Sequence, residues 1–310
     1  MWLTRSTADR ALLMTSNGCL LLALVALYGY ARLRVRPADA VTPQLAVVSA
    51  GLLPTTVFFR MAYAESLLLL CAVLVLLGIE RRWKPLWIAA VVGLGTATRP
   101  SGVAFVIPFA LHLWREHGAW RRPMQNLGLL LVACWGAIAY VAYCSAAFGA
   151  PLAFVHAQAF WNSRPAVPIL AKAWALLTLE PIRGVYGKTS PFYWGRFYNI
   201  APPLFSLYFS NPIYFVGTVL LVCIGAFKRW LNVYEILLAA GIVAIPYLTH
   251  NYETTMEATG RYMSTAAPTY LVMGHLLRTA PVGVTIGFTA LAAAMLACYA
   301  ALFATWYWMI

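Results

Sequence analysis

Apolar stretches recur along the whole 310-residue chain, and several approach the roughly 20 residues that a helix needs to cross a bilayer. Between them lie short polar connections carrying most of the charge. Hydrophobic residues make up 62% of the chain and charged ones 10%, against about 25% charged in a globular domain. That excludes a soluble enzyme and predicts one all-α, polytopic integral membrane domain covering 1–310.

Spans are expected near 11–33, 42–58, 65–79, 85–98, 101–114, 124–147, 204–227, 231–249, 262–277 and 282–309, about ten transmembrane helices. The first ends in Arg32, Arg34 and Arg36 without a small-residue cleavage site, so it reads as a retained helix and not a signal peptide. A net charge of +13 would suit nucleic acid, but the cations sit in short loops between apolar runs, as the positive-inside rule requires, and no nucleic-acid partner is expected. The loops 32–36, 81–84, 115–122, 228–229 and Arg278 hold twelve basic residues and are assigned to the cytoplasm. The other face then carries residues 1–10, 59–64, 99–101, a long extracytoplasmic segment 148–203, and 250–261, with both termini outside. Cys19, Cys71, Cys134, Cys144, Cys223 and Cys298 stand singly in apolar segments, with neither metal-ligand spacing nor a disulfide pattern.

Segments 85–98 and 101–114 are short, about 14 residues or roughly 21 Å of helix against a hydrocarbon core of about 30 Å. Arg99 and Pro100 are therefore expected below the outer surface, where irregular backbone persists only if buried in protein or lining a wet cavity. The alternative is an arginine that snorkels to the headgroups.

Three outer clusters could carry chemistry. Arg60, Tyr63 and Glu65 stand between two spans, either as a phosphate and sugar-hydroxyl site or as an interfacial ion pair of Arg60 with Glu65 that also favours the start of the next helix. His250, Glu253, Glu257, Arg261 and Tyr262 follow; as a helix, Glu253, Glu257 and Arg261 would share one face, as a solvated ladder or as the wall of a polar site with Arg261 binding phosphate. The segment 148–203 is rich in aromatics (Phe160, Trp161, Trp174, Tyr186, Phe192, Tyr193, Trp194, Phe197, Tyr198) beside Arg164, Lys172, Arg183, Lys188 and Arg196. It reads either as an interfacial belt or as a platform for sugar faces and a lipid headgroup. Residues 148–161 form an amphipathic stretch suited to lie along a membrane, and His156, Gln158, Trp161 and Asn162 add hydrogen-bonding groups.

Four stretches, in order, resemble one family. Pro54 through Leu67 reads Pro-Thr-Thr-Val-Phe-Phe-Arg-Met-Ala-Tyr-Ala-Glu-Ser-Leu and is similar to the "P…FF…AYxESL" signature of the PIG-V type mannosyltransferases, which add the second mannose to GPI precursors, and of their bacterial relatives. Thr96-Ala-Thr-Arg-Pro-Ser-Gly102 is similar to the family's "ATR(P/S)xG" turn, residues 148–161 to its "GxPxAFxxAQxxW" segment, and Gly260-Arg-Tyr262 to its late "xRY".

The resemblance implies a class C glycosyltransferase fold with an extracytoplasmic or lumenal active site, in the plasma membrane of a bacterium or the endoplasmic reticulum of a eukaryote. It implies a polyprenyl- or dolichyl-phosphate sugar as donor and a lipid-linked or surface glycan as acceptor. Glu65, Arg99, Trp161 and Arg261 fall at motif positions that line the site; Arg60, Tyr63, His156, Gln158, Glu257 and Tyr262 are the further substrate-binding candidates. Family members begin with a helix and an outer loop whose acid, usually Asp, is the expected catalytic base. This chain's first span is similar to a later family helix, so that loop is expected to be missing and the chain truncated or inactive, with Glu65 and Asp9 as the remaining acids for the role. No metal site or cofactor beyond the donor lipid is assigned, and metal dependence stays open. Two readings compete: a lipid-glycan flippase or transporter, which wants charges near the bilayer midplane, where they are nearly absent and Glu235, near the cytoplasmic end, is the main exception, and a non-catalytic binder of a lipid-linked sugar.

Overall fold

The computed structural model describes residues 7–117, 123–197 and 203–305. Arg121, Arg122, Tyr198, the first six residues of the outer amino terminus and 306–309 at the end of the last expected span lie outside that set. All regular structure among the described residues is helical: α1 Ala8–Arg34, α2 Val41–Leu52, α3 Glu65–Glu80, α4 Pro85–Thr98, α5 Val106–His117, α6 Pro123–Ala133, α7 Trp135–Phe148, α8 Ala153–Gln158, α9 Ile169–Leu177, α10 Glu180–Tyr186, α11 Trp194–Phe197, α12 Leu207–Phe227, α13 Val233–Pro246, α14 Thr259–Met263, α15 Ala267–Thr279 and α16 Val282–Ala304.

Most expected spans begin at or near a helix start, but 42–58 runs past the end of α2, 101–114 and 262–277 begin before α5 and α15, and about ten spans is an overcount. Among the described residues four helices are long and apolar enough to cross a membrane: α1, α12, α13 with the π-helical turn Tyr247–Asn251, and α16. They become five if α6 and α7, bent by 55°, are one span. The discrepancy has local causes. Pro54 forces Leu53 into an extended conformation, so the run 42–58 becomes α2 followed by a 3-10 turn, Pro54–Phe59. Arg99 is extended before Pro100, so the run 101–114 becomes a second 3-10 turn, Pro100–Phe105, and then α5. Helices α2 and α4 are apolar but only 12 and 14 residues long.

Helix α1 packs on α2 and α3, α2 on α15, α3 on α4, α4 on α6 and α7, and α13 on α5 and the turn 100–105. Leu68, Leu69, Ile88, Val92, Phe105, Phe109, Leu238, Ile242 and Tyr270 are buried in the shared core. Apolar side chains on the outer faces of α1 and α16, among them Leu21, Val25, Val284 and Ile286, are exposed, which fits contact with lipid and not with water.

One end of the bundle collects the loops expected to be basic. Arg34 there donates to both oxygens of the buried Glu235 at 3.0 and 3.1 Å, and Tyr30 donates to it as well. Glu235 also completes a capping box with Asn232 at the start of α13. Arg278 pairs with Asp39, which caps Thr42. Glu235, the acid that a transporter reading would use, is thus fully committed to joining α1 to α13.

Two helices stop at this end with the same device. In Gly78-Ile-Glu-Arg-Arg-Trp83 and Gly225-Ala-Phe-Lys-Arg-Trp230 the amide of the tryptophan donates to the glycine carbonyl, at 2.9 Å in both, and the preceding arginine is left-handed (φ 52° at Arg82, 57° at Arg229). These are Schellman caps. A Cβ on Gly78 would meet the Trp83 ring at 2.9 Å, so glycine there admits the indole.

Candidate functional site

At the opposite end, Glu65 opens α3, where the helix dipole favours an acid. It is fully buried and forms ion pairs with both Arg99, at the end of α4, and Arg261, in α14. Both guanidinium groups converge on Oε1, while Oε2 has no hydrogen-bond partner within the described protein. Aromatic faces cover the cations: Arg99 lies 4.6 Å from the centroid of Tyr262, and Arg261 3.9 Å from Tyr63 and 5.7 Å from Phe58.

Close backbone approaches set this geometry. A Cβ on Gly102 would overlap the Gly95 carbonyl, so glycine lets the turn 100–105 lie against α4 and fixes where Arg99 emerges. Gly260 donates its amide to Asn211 Oδ1 at 2.9 Å, and a Cβ there would meet Tyr214 at 2.8 Å, which anchors α14 to α12.

The expected pair of Arg60 with Glu65 does not form. Arg60 instead donates to the carbonyls of Gly51, at 2.7 Å, and Thr56. Nor do Glu253, Glu257 and Arg261 make a helical ladder. Residues 252–258 are a series of turns, with Thr255, Met256 and Ala258 in the left-handed region. Each member of the supposed ladder goes its own way: Glu253 pairs with Lys172 at 2.7 Å, Glu257 accepts from Tyr208 at 3.1 Å, and Arg261 pairs with Glu65.

A cavity of about 560 Å³ opens beside Arg99. Arg99, His156, Gln158 and Tyr262, all expected in the site, line it together with Ser101, Asn162, Lys172, His250 and Glu253. Ser101 Oγ, His250 Nδ1 and Asn162 Oδ1 are buried without a hydrogen-bond partner in the described protein, so the cavity wall carries free donor and acceptor capacity. Lys172 donates to the Leu248 carbonyl at 2.6 Å besides pairing with Glu253, and the Glu253 carbonyl accepts from the amides of Ser163 and Arg164 at 2.8 and 2.9 Å. These bonds tie the segment after α8 to the turns after α13 and close one side of the cavity. A smaller cavity of about 360 Å³ adjoins it, sharing Arg99 and Gln158 and walled by Tyr140, Val141 and Phe154. The turn at Arg99 is thus buried in protein on one side and borders cavities on the other.

The remaining candidates divide. Asp9, Arg60 and Tyr63 line a separate cavity of about 700 Å³ between α1, the turn 54–59 and α16. Trp161 is 55% exposed, packs edge-on against Phe160 and lines none of these cavities; Glu257 is likewise outside them. Among the described residues the aromatics of the long segment form no single platform, since Phe192 lies under Arg164, Trp194 packs on Phe209 and Trp174 is exposed. Neither acid expected to replace the base stands free in the cavity beside Arg99, for Glu65 is clamped by two arginines and Asp9 lies in the other cavity. Glu253 is the carboxylate that lines it. Ser101 lay within the quoted Arg-Pro-Ser turn without being singled out, and Asn211 had no part in the sequence analysis; an Asn followed by Pro212 inside an apolar span was its signal. Among the described residues no group of three His, Cys, Asp or Glu is placed to hold a metal ion. Comparison of the chain with protein-family models, with curated proteins and with solved structures gives no match.

Proposed function

We propose that the chain is a membrane glycosyltransferase of the PIG-V type, class C, that moves a hexose, mannose in the first instance, from a polyprenyl- or dolichyl-phosphate sugar to a lipid-linked or surface glycan. The observation that carries this reading is the convergence of Arg99 and Arg261 on one buried carboxylate, with Arg99 facing a cavity rich in unsatisfied polar groups. Three cations, Arg99, Arg261 and Lys172, face two carboxylates, Glu65 and Glu253, leaving an excess of positive charge for a phosphate. That the site is carried by apolar helices supports a lipid-borne donor, and the active side is extracytoplasmic or lumenal if the basic end faces the cytoplasm.

In the reaction, an acceptor hydroxyl oxygen bonds to the anomeric carbon as the bond to the phosphate oxygen breaks. The lipid phosphate leaves with the bonding pair, held by Arg99, and the hydroxyl proton passes to a carboxylate. Glu253 is the group on the cavity wall for that proton; Glu65 holds the two arginines in place. A second reading, a binder of lipid-linked sugar that does not transfer it, is favoured by one observation: Lys172 occupies Glu253.

The test is transfer of radiolabelled mannose from polyprenyl-phosphate mannose by membranes containing the full chain. Arg99→Ala and Arg261→Ala are expected to abolish transfer while the protein remains inserted, Glu253→Gln to remove turnover while donor binding survives, and Glu65→Gln to weaken transfer more than Glu80→Gln. Full activity of both arginine variants refutes the site. Donor binding without any turnover by the unaltered chain selects the second reading.

A further inference from the structure

The end of the bundle away from the Arg99 cavity carries a groove of about 780 Å³ between α4 and α7, walled by Trp83, Trp87, Ala90, Val91, Leu94 and Trp135, with Lys84 at its mouth. Its walls are built by specific local chemistry. The Schellman cap after α3 turns Trp83 back onto Gly78. The break at Cys134, where α6 and α7 bend by 55°, delivers Trp135 at the first residue of α7, and a Cβ on Gly93 would overlap that indole. Trp135 Nε1 donates to the Ala90 carbonyl at 3.2 Å, so the ring's polar atom is satisfied inside the wall and the surface left to the groove is apolar.

Length and charge say what fits. From Lys84 to Leu94 the groove follows ten residues of α4, about 15 Å at 1.5 Å per residue, half of a hydrocarbon core of about 30 Å and hence the depth of one leaflet. Lys84 lines the mouth, and Arg81 and Arg82 precede it in the turn after α3; all three are exposed and, among the described residues, enter no ion pair. Glu80, the neighbouring acid, leaves an excess of two positive charges there. We propose that this groove seats one acyl chain of a glycerophospholipid with an anionic headgroup, its phosphate against Arg81, Arg82 and Lys84 and its chain along the three indoles. An aromatic belt alone would hold the protein at the interface without preference for headgroup charge; this site discriminates. It stands whichever activity the opposite end performs.

The experiment reconstitutes the full chain in phosphatidylcholine vesicles containing phosphatidylglycerol of the same chain length, with one species or the other brominated on its chains, and follows tryptophan quenching. Brominated phosphatidylglycerol is expected to quench a saturable component at a lower mole fraction than brominated phosphatidylcholine does. That preference should fall about fivefold for each cation removed in Arg82→Gln and Lys84→Gln, the equivalent of about 1 kcal/mol per basic residue near an anionic surface. Trp87→Ala should remove part of the quenched component, and Ala90→Leu, which narrows the groove without touching charge, should weaken quenching by both lipids. Equal quenching by the two lipids, or a preference that survives Arg81→Gln, Arg82→Gln and Lys84→Gln together, overturns the proposal.

Discussion

Replacing Glu65 by Gln removes the negative charge that two arginines share. The carboxylate is completely buried and each arginine side chain is only 16% exposed, so neither cation recovers full hydration when the charge goes. Breaking a buried ion pair by deleting one partner costs about 3–5 kcal/mol, most of it the penalty of the charge left behind. Here two such charges remain and repel each other. Arg261→Gln acts differently: Glu65 keeps Arg99, the repulsion between guanidinium groups is relieved, and the loss is that of one charged hydrogen bond, about 1.5–3 kcal/mol. Joining both substitutions leaves Arg99 alone on Tyr262, without the second cation that makes the single glutamate variant so costly. The double variant should therefore be more stable than the sum predicts, by about 1–3 kcal/mol. Equilibrium unfolding in mixed detergent micelles, followed by circular dichroism, measures all four corners of the cycle. Glu80→Gln, on an exposed residue, is the control and should shift stability by less than about 0.5 kcal/mol. A Glu65→Gln variant as stable as that control, or strictly additive losses, would mean that the three side chains do not act as a unit.

Gly102→Ala is expected to push the turn 100–105 off the Gly95 carbonyl and displace Arg99, costing about 1–3 kcal/mol and reducing transfer with insertion intact; unchanged melting and activity contradict it. Burial raises the Glu257 carboxyl above its ordinary 4.5, opposed by the hydrogen bond from Tyr208, so the folded protein holds that proton more tightly than the unfolded chain. Its stabilising contribution is complete below about pH 4.5 and is lost as pH rises through the folded value. Glu257→Gln should accordingly match the unaltered protein at pH 4 and exceed it in unfolding midpoint at pH 7; a lower midpoint at pH 7 counts against the burial argument. Arg82→Gly relieves a left-handed non-glycine residue in the cap after α3 and should raise stability by about 1 kcal/mol, read from the same unfolding curves, with no gain if the turn already opens in solution.

Helix boundaries were legible because apolar runs here end in residues with a mechanism. Pro85, Pro123 and Pro281 stand at or just before helix starts, and basic pairs follow helix ends. Membrane crossing was less legible, since a hydropathy run continues through Pro54, Arg99 and Cys134 while the helix does not. In the site, isolated polar residues flanking apolar runs were good markers: Arg99, His156, Gln158 and Tyr262 all reach one cavity. Their pairing was hidden. Arg60 is five residues from Glu65 and looked the natural partner, yet Arg261, 196 residues away, takes the carboxylate because α14 folds back onto the turn before α3. The ladder through Glu253 and Glu257 failed where Thr255, Met256 and Ala258 turn left-handed with no glycine or proline to announce it. The recurring Gly-x-x-basic-Arg-Trp caps, by contrast, are visible in the sequence itself, as a six-residue pattern at Gly78–Trp83 and again at Gly225–Trp230.

The two ends of the bundle treat charge in opposite ways, and that contrast locates the chemistry. At the basic end each buried acid is saturated: Glu235 takes Arg34, Tyr30 and the Asn232 amide, and Asp39 takes Arg278 and both donors of Thr42. Those acids join helices and line none of the cavities described above, as suits a purely structural ion pair. Around Glu65 the balance is deliberately incomplete. One carboxylate serves two arginines, its second oxygen lacks a partner, and unsatisfied atoms on Ser101 and His250 border the space next to Arg99. Unsatisfied buried polar groups cost about 1–3 kcal/mol each, a burden that stability alone gives no reason to keep. An anion entering beside Arg99 relieves the donors among these groups, supplying acceptors for the guanidinium and the Ser101 hydroxyl at once, while Glu65 Oε2, itself an acceptor, gains nothing from it. The strain on the folded protein and its capacity to bind a phosphate are then two aspects of one arrangement, and a substitution that stabilises this end without ligand should weaken its hold on one.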